Sequence, residues 1–177
     1  MNPLTKGSIL TLSDGNLKIT SSGNYGNITA SIGVSSGKWY YEYTTQTSIV
    51  CLGITRDIEP ESAPGNYESS YAFNVAGGTA YKQTDGTSAT YGSVPGGGDV
   101  IGVAFDLDNG SIEIYINGVS QGVMFNTSKL SSGDTFFAQV GDGTQTGNID
   151  GIVNFGQKPW TYQAPAGFLA LNTKNLP

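Results

Sequence analysis

The chain has 177 residues, 8 basic and 14 acidic, for a net charge of −6, and it contains no histidine and one cysteine. This length suits one domain with a core of its own. The charge leaves no basic stripe for a phosphate backbone, so nucleic acid is not expected as a partner, and no apolar run is long enough to span a bilayer. Glycine at 26 positions, about twice the usual share of roughly 7%, implies many tight turns.

In chain order, the first 36 residues read as lead-in strands, with Ile28 to Val34 the clearest. They hold no apolar run of the kind a secretory leader needs. Lys38 to Tyr43 is next, and its alternation puts Trp39, Tyr41 and Tyr43 on one face, expected to be the core, with Tyr40 and Glu42 on the other. Ile49 to Ile54 follows and contains Cys51, whose apolar neighbours predict a buried, inert thiol. Asp57 to Ser69, with two prolines and four acids, reads as a long surface loop. Ser70 to Val75 and Thr79 to Lys82 read as strands, and Asp85 to Gly98 as irregular.

Gly98 to Gly122 predicts a three-stranded antiparallel meander. Val100 to Leu107 is the first strand, Asp108-Asn109-Gly110 turns, Ile112, Ile114 and Ile116 alternate through the second, and Asn117-Gly118 turns again. Asn-Gly suits a two-residue type I′ loop because both positions need positive φ. Thr135 to Val140 and Gly151 to Phe155 are further strands, separated by the loop from Gly141 to Gly151. From Lys158 the tail carries aromatic anchors at Trp160, Tyr162 and Phe168, and is expected to pack along the body before leaving it. Short strands with no helical period predict an all-β fold of two packed antiparallel sheets, almost without helix.

Catalytic and metal chemistry find little support. Without histidine a Ser-His-Asp triad is impossible. Asp57, Glu59 and Glu61 have the composition of a glycosidase pair, but Pro60 and Pro64 place them on a solvated loop. Asp106, Asp108 and Gly110 suggest a calcium loop only faintly, since no bidentate Glu follows at the right distance, and turn chemistry explains them better. No metal or cofactor is expected. Tyr67, Tyr81 and Tyr91 lie near predicted loops, where a tyrosine can serve either as a contact residue or as a cap on the core.

Four motifs occur in an order that carries a resemblance: GKWYYEY at Gly37 to Tyr43, the strand-loop-strand unit CLGI to SYAFN, GDVIGVAFDLDNGSIEIYING, and VNFGQKPW at Val153 to Trp160. Together they resemble a SPRY domain. The similarity covers Gly37 to Phe168, which divides the chain into a lead-in of residues 1–36, a core of 37–168 and a tail of 169–177. The lead-in NPLTKGSILTLSDGNLKI and the terminal ALNTKNLP resemble the flanks of such domains in bacteriophage virion proteins.

The resemblance implies a bent β-sandwich acting as a non-enzymatic recognition module through loops on one rim. By position it implies Arg56 and Tyr67 from the loop after the first Gly-Ile strand, and Gly141, Asp142 and Gly143 from the loop after FFAQV. Tyr81, Tyr91 and Gln145 complete the expected ligand-binding set. The loops depart from the eukaryotic pattern, so no eukaryotic peptide specificity is carried over. The partners it implies are a host-surface protein or glycan and other virion proteins, with the protein displayed on the particle exterior. The alternatives are a virion decoration domain making subunit contacts and, last, a polysaccharide-acting enzyme. No heptad or collagen repeat is present, so a homotrimer would depend on other segments.

Overall fold

A computed structural model describes residues 1–176. Fourteen strands form two sheets, and the one helical element among the described residues is a 3-10 turn at Pro3–Thr5. The strands are β1 (Leu10–Ser13), β2 (Lys18–Ser21), β3 (Gly26–Val34), β4 (Lys38–Thr45), β5 (Val50–Thr55), β6 (Ser70–Ala76) and β7 (Thr79–Thr84). They continue with β8 (Thr87–Thr90), β9 (Val100–Asp106), β10 (Ser111–Ile116), β11 (Val119–Asn126), β12 (Phe136–Asp142), β13 (Asp150–Asn154) and β14 (Leu169–Ala170).

One sheet has the order β1-β2-β13-β4-β9-β10-β11, with β14 added parallel to the start of β4; the other runs β3-β12-β5-β6-β7-β8. All other pairings are antiparallel. This is the all-β sandwich expected from the residues, and its meander β9-β10-β11 turns at Asn117-Gly118 with φ of 50° and 77°.

Period-two alternation builds the core between the sheets. Val50, Leu52 and Ile54 of β5, Phe136, Ala138 and Val140 of β12, Ile101, Val103 and Phe105 of β9, and Ile112 and Ile114 of β10 all enter it. Trp39, Tyr41 and Tyr43 do so as well. Tyr41 reaches across to the opposite sheet, where its hydroxyl donates to Gly53 O at 2.8 Å and Gln139 O at 3.4 Å. Cys51 points to the outer face of its sheet, buried, with its thiol 3.7 Å from Pro64 O. Burial pushes its pKa well above the usual thiol range, which disfavours the reactive thiolate.

Four features differ from the sequence reading. Thr87–Thr90 is a strand rather than irregular chain, because Asp85-Gly86 (φ 51° and 65°) closes a two-residue hairpin onto β7. Its Thr-Ser-Ala-Thr composition, exposed on both faces, carries no alternation to read. The last meander strand extends to Asn126 across register shifts. Tyr81, expected in the ligand-binding set near a loop, lies within the strand that Thr79 to Lys82 predicted and is half-buried there. Tyr40 and Glu42 face away from the core yet are also buried, because the tail folds over them. Trp160 packs edge-on to Tyr40 at 5.1 Å, and the Glu42 carboxylate accepts from Thr161 N and Tyr162 N, each at 3.0 Å. The tail then adds β14 and returns Leu171 to the core.

Candidate interaction surface

The loop after β5 carries two of the expected ligand-binding residues, Arg56 and Tyr67. It does not project from the sandwich end but lies back over the outer face of the β3-β12-β5-β6-β7-β8 sheet. That face is polar, and its amides form two hydrogen-bonded chains beneath the loop. Asn27 Nδ2 donates to Gln139 Oε1 at 3.0 Å, and Gln139 Nε2 donates to Ser70 Oγ at 2.7 Å and Ile54 O at 2.9 Å. Ser70 Oγ in turn accepts from Gly65 N at 2.7 Å. In the second chain Asn74 Nδ2 donates to Gln83 Oε1 at 3.0 Å and Gln83 Nε2 to Asn66 Oδ1 at 2.9 Å.

The loop's far side is held by the N-terminal segment. Asn27 N donates to Pro60 O at 2.8 Å, while Glu61 accepts from Ser8 N and Ser8 Oγ, both at 2.9 Å. Glu61 is therefore a latch, and Asp57 and Glu59 are exposed on the loop without converging on it. The loop is thus pinned on both sides, and its carboxylates are not arranged as a catalytic pair, which must face a substrate together.

Pinned in this way, the loop presents Tyr67 with 46% of its surface exposed. The backbone there is fixed, since Tyr67 O accepts from Ser70 N at 3.0 Å and Asp85 N at 3.1 Å. Arg56 lies at the same end of the sandwich and pairs with Asp134 at 2.9 Å. Lys129 pairs with Glu68 beside it. That hydrogen bond lowers the Glu68 pKa and raises that of Lys129; Asp134 is lowered by the Ser132 hydroxyl and then by Arg56. Glu68, Lys129 and Asp134 are exposed and Arg56 is half-buried, so the pairs set the shape and sign of the surface more than its stability.

Next to them opens a groove of about 340 Å³ between the β7-β8 hairpin and β11. Its floor is Phe125 and Tyr71, packed edge-to-face with ring centroids 5.2 Å apart.

The remaining residues of the expected set do not join this surface. Gly141, Asp142 and Gln145 lie at the opposite end of the sandwich. Asp142 is fully buried and accepts from Ser21 Oγ at 2.5 Å and from Thr144 N and Oγ1, each at 2.9 Å. It starts the following loop instead of facing outward. Gly141 is buried where a Cβ would lie 2.3 Å from Gly26 O and 2.7 Å from Pro64 Cδ. Only Gln145 of the three is exposed.

Tyr91 is a cap on the core: its ring meets Phe73 edge-on, and its hydroxyl donates to Gly122 O at 2.5 Å. Burial pushes its pKa up to about 12. Tyr81 is half-buried on β7. The Asp106 carboxylate is filled by Asp108 N, Asn109 N, Asn109 Nδ2 and Lys38 Nζ, as a turn residue's would be. Glu68, Lys129 and Asp134 were not foreseen, since nothing local in sequence pairs charges that lie 61 and 78 residues apart.

A sequence model of the SPRY domain matches residues 38–157. The chain belongs to the SPRY domain family. The SPRY region is 32% identical over 131 residues to the E3 ubiquitin-protein ligase RKP of Arabidopsis thaliana, which covers 71% of this chain and 10% of the ligase. The chain thus spans about a tenth of that relative's length.

Among solved structures, the fold resembles the SPRY domain of human HERC1, with a TM-score of 0.69 and 19% identity over 89% of this chain and 99% of that one. It also resembles stonustoxin, with a TM-score of 0.67 and 17% identity over 86% of this chain and 26% of that one. SPRY domains mediate protein–protein interaction.

Proposed function

We propose that this SPRY domain is the recognition element of a bacteriophage virion protein, binding a host-surface receptor through the end that carries Arg56, Tyr67, Glu68, Lys129 and Asp134. The observation that carries this reading is the pinning of the Asp57 to Ser69 loop. Side-chain hydrogen bonds from the sheet beneath and from Ser8 fix the loop before any partner arrives, which cuts the ordering cost of association. Tyr67 supplies a large, rigid contact area with a polar tip. The virion setting is supported by the resemblance of both flanks to virion proteins and by a surface poor in charge, with 12% charged residues overall.

Single sites on displayed modules are weak and gain by multivalency, so the test uses the chain clustered on a multivalent carrier and incubated with bacterial cells. Binding to a subset of host strains is expected, with loss on Tyr67→Ala or on Arg56→Ala while the thermal transition stays in place. No binding to any strain, or binding indifferent to both substitutions, would remove the proposal. A decoration role is favoured by one separate observation, the exposed apolar residues Val119, Val123 and Leu169. If that role holds, these three residues are buried in assembled particles.

A further inference from the structure

A sheet edge is an open row of hydrogen-bonding groups, and folded proteins normally cover or break it. Three of the four strands that end the two sheets are treated in this way. On β1 the outward groups of Leu10 are both taken, its N–H by Gly7 O at 3.1 Å and its C=O by Lys6 Nζ at 2.7 Å. Along β3 the N-terminal segment supplies Asn2 N to Thr29 O and Gly7 N to Asn27 O, each at 2.9 Å. On β11 the register shifts twice, and Gly122 O is occupied by the Tyr91 hydroxyl.

The fourth edge, β8, has none of these devices. Its residues Thr87, Ser88, Ala89 and Thr90 are all exposed and include no charge and no proline. The phase of its ladder follows from the two-residue turn at Asp85-Gly86, which makes Thr84 and Thr87 a hydrogen-bonded pair. Tyr91 N donating to Ala80 O at 3.0 Å confirms that phase at the other end. Ser88 and Thr90 therefore direct their N–H and C=O groups away from β7, and among the described residues nothing bonds them.

Beside this edge lies the groove floored by Phe125 and Tyr71, with Thr87 on its wall. Charges around the groove balance, Lys82 and Lys129 against Glu68 and Asp85; Lys82 Nζ stands 5.6 Å from the Phe125 ring centroid, and Lys129 is paired to Glu68.

We infer that β8 takes an extended segment of a partner protein as an added strand, with an uncharged apolar side chain of that segment seated over Phe125. The main chain of Ser88 and Thr90 supplies the pairing, and the groove supplies the side-chain preference. A second copy of this chain is a poor occupant. Two four-residue edges bury far less than the roughly 800 Å² per partner of a stable interface, and each copy carries a charge of −6. A single strand, unlike a folded copy, reaches the groove floor. The inference rests on the partner being a polypeptide, but not on the Tyr67 surface.

The test pans a displayed library of random peptides of roughly nine residues against the full chain and titrates the selected peptides by fluorescence polarisation. Ser88→Pro removes an outward N–H and leaves the β7 ladder whole, so it should weaken binding roughly tenfold, while Tyr67→Ala leaves it within about twofold. Selected peptides should alternate apolar and polar residues, and the Ser88 and Thr90 amides should gain exchange protection on binding. As a check independent of the variant's folding, N-methylation of alternate peptide amides should abolish binding in one phase and spare it in the other.

Selected peptides that bind Ser88→Pro as well as the parent chain, insensitivity to N-methylation in both phases, or a library yielding no binder above an unrelated β-sandwich would overturn the inference. Loss on Tyr67→Ala alone would place the peptides on the receptor surface and also count against it.

Discussion

Replacing Glu42 by Gln tests whether the tail is held by chemistry or merely rests on the sandwich. Glu42 is 1% exposed and spends its two carboxylate oxygens on Thr161 N and Tyr162 N, both at 3.0 Å. Glutamine keeps the size but turns one acceptor into a donor, which then faces a backbone N–H.

A hydrogen bond to a charged group contributes about 1.5–3 kcal/mol, and leaving a buried donor unpaired costs a similar amount. The expected destabilisation is therefore about 3 kcal/mol. For a chain of this size that lowers Tm by roughly 6–12 °C, at about 2–4 °C per kcal/mol. Urea unfolding followed by tryptophan fluorescence reports the energy, and amide exchange at Thr161 and Tyr162 reports the place. A loss under about 1 kcal/mol with unchanged protection at those two amides would refute the reasoning, because the tail would then be held by the Trp160–Tyr40 contact, the β14 pairing and Leu171 without help from Glu42.

Asp142→Ala should cost about 2–4 kcal/mol and strip exchange protection from Thr144 and Ile149, since Ser21 Oγ, which accepts from Ile149 N, is held in place by donating to Asp142. An unchanged midpoint in urea would return Asp142 to the list of surface residues. Gly118→Val should cost about 1–3 kcal/mol: the position has φ 77°, and a Cβ would lie 2.8 Å from Tyr162 Cδ1. A neutral thermal melt would show that the turn can rearrange.

In acid, burial acts to raise the Asp106 pKa, but the Asn109 amide and N–H and the Lys38 ammonium outweigh it and hold the group below its ordinary value of 3.8. A carboxylate depressed in the folded state contributes its stability above the unfolded pKa and loses it as pH falls through the folded one. Tm should therefore be insensitive to this group from pH 7 to about 5 and should fall below about pH 4, with a shallower acid limb in Asp106→Asn. Superimposable acid limbs would show that Asp106 contributes nothing.

The sandwich itself was legible because its strongest elements follow local rules. Ile112, Ile114 and Ile116 alternate, Asn117-Gly118 demands its turn, and Trp39, Tyr41 and Tyr43 fall on the core face as period two requires. What escaped the sequence depends on distant partners. Glu42 reads as a solvent-facing strand residue until a segment nearly 120 residues later folds over it. Thr87–Thr90 offers no apolar stripe because neither of its faces is buried.

The expected binding set was a list by position along the chain, whereas the molecule sorts it by end of the sandwich. Tyr67 is exposed and Arg56 half-buried at one end, while Asp142, indistinguishable from them as a polar residue near a glycine, turns inward to Ser21.

The latch between Glu61 and Ser8 has a practical consequence for dissecting the protein. A fragment trimmed to residues 38–157, the span that a domain boundary would suggest, keeps the loop's sequence intact but discards Ser8 and Asn27, half of what steadies it. Such a fragment also loses β1, β2, β3 and β14 with their core residues, so weak binding in a truncated preparation would report lost scaffolding, not the wrong ligand.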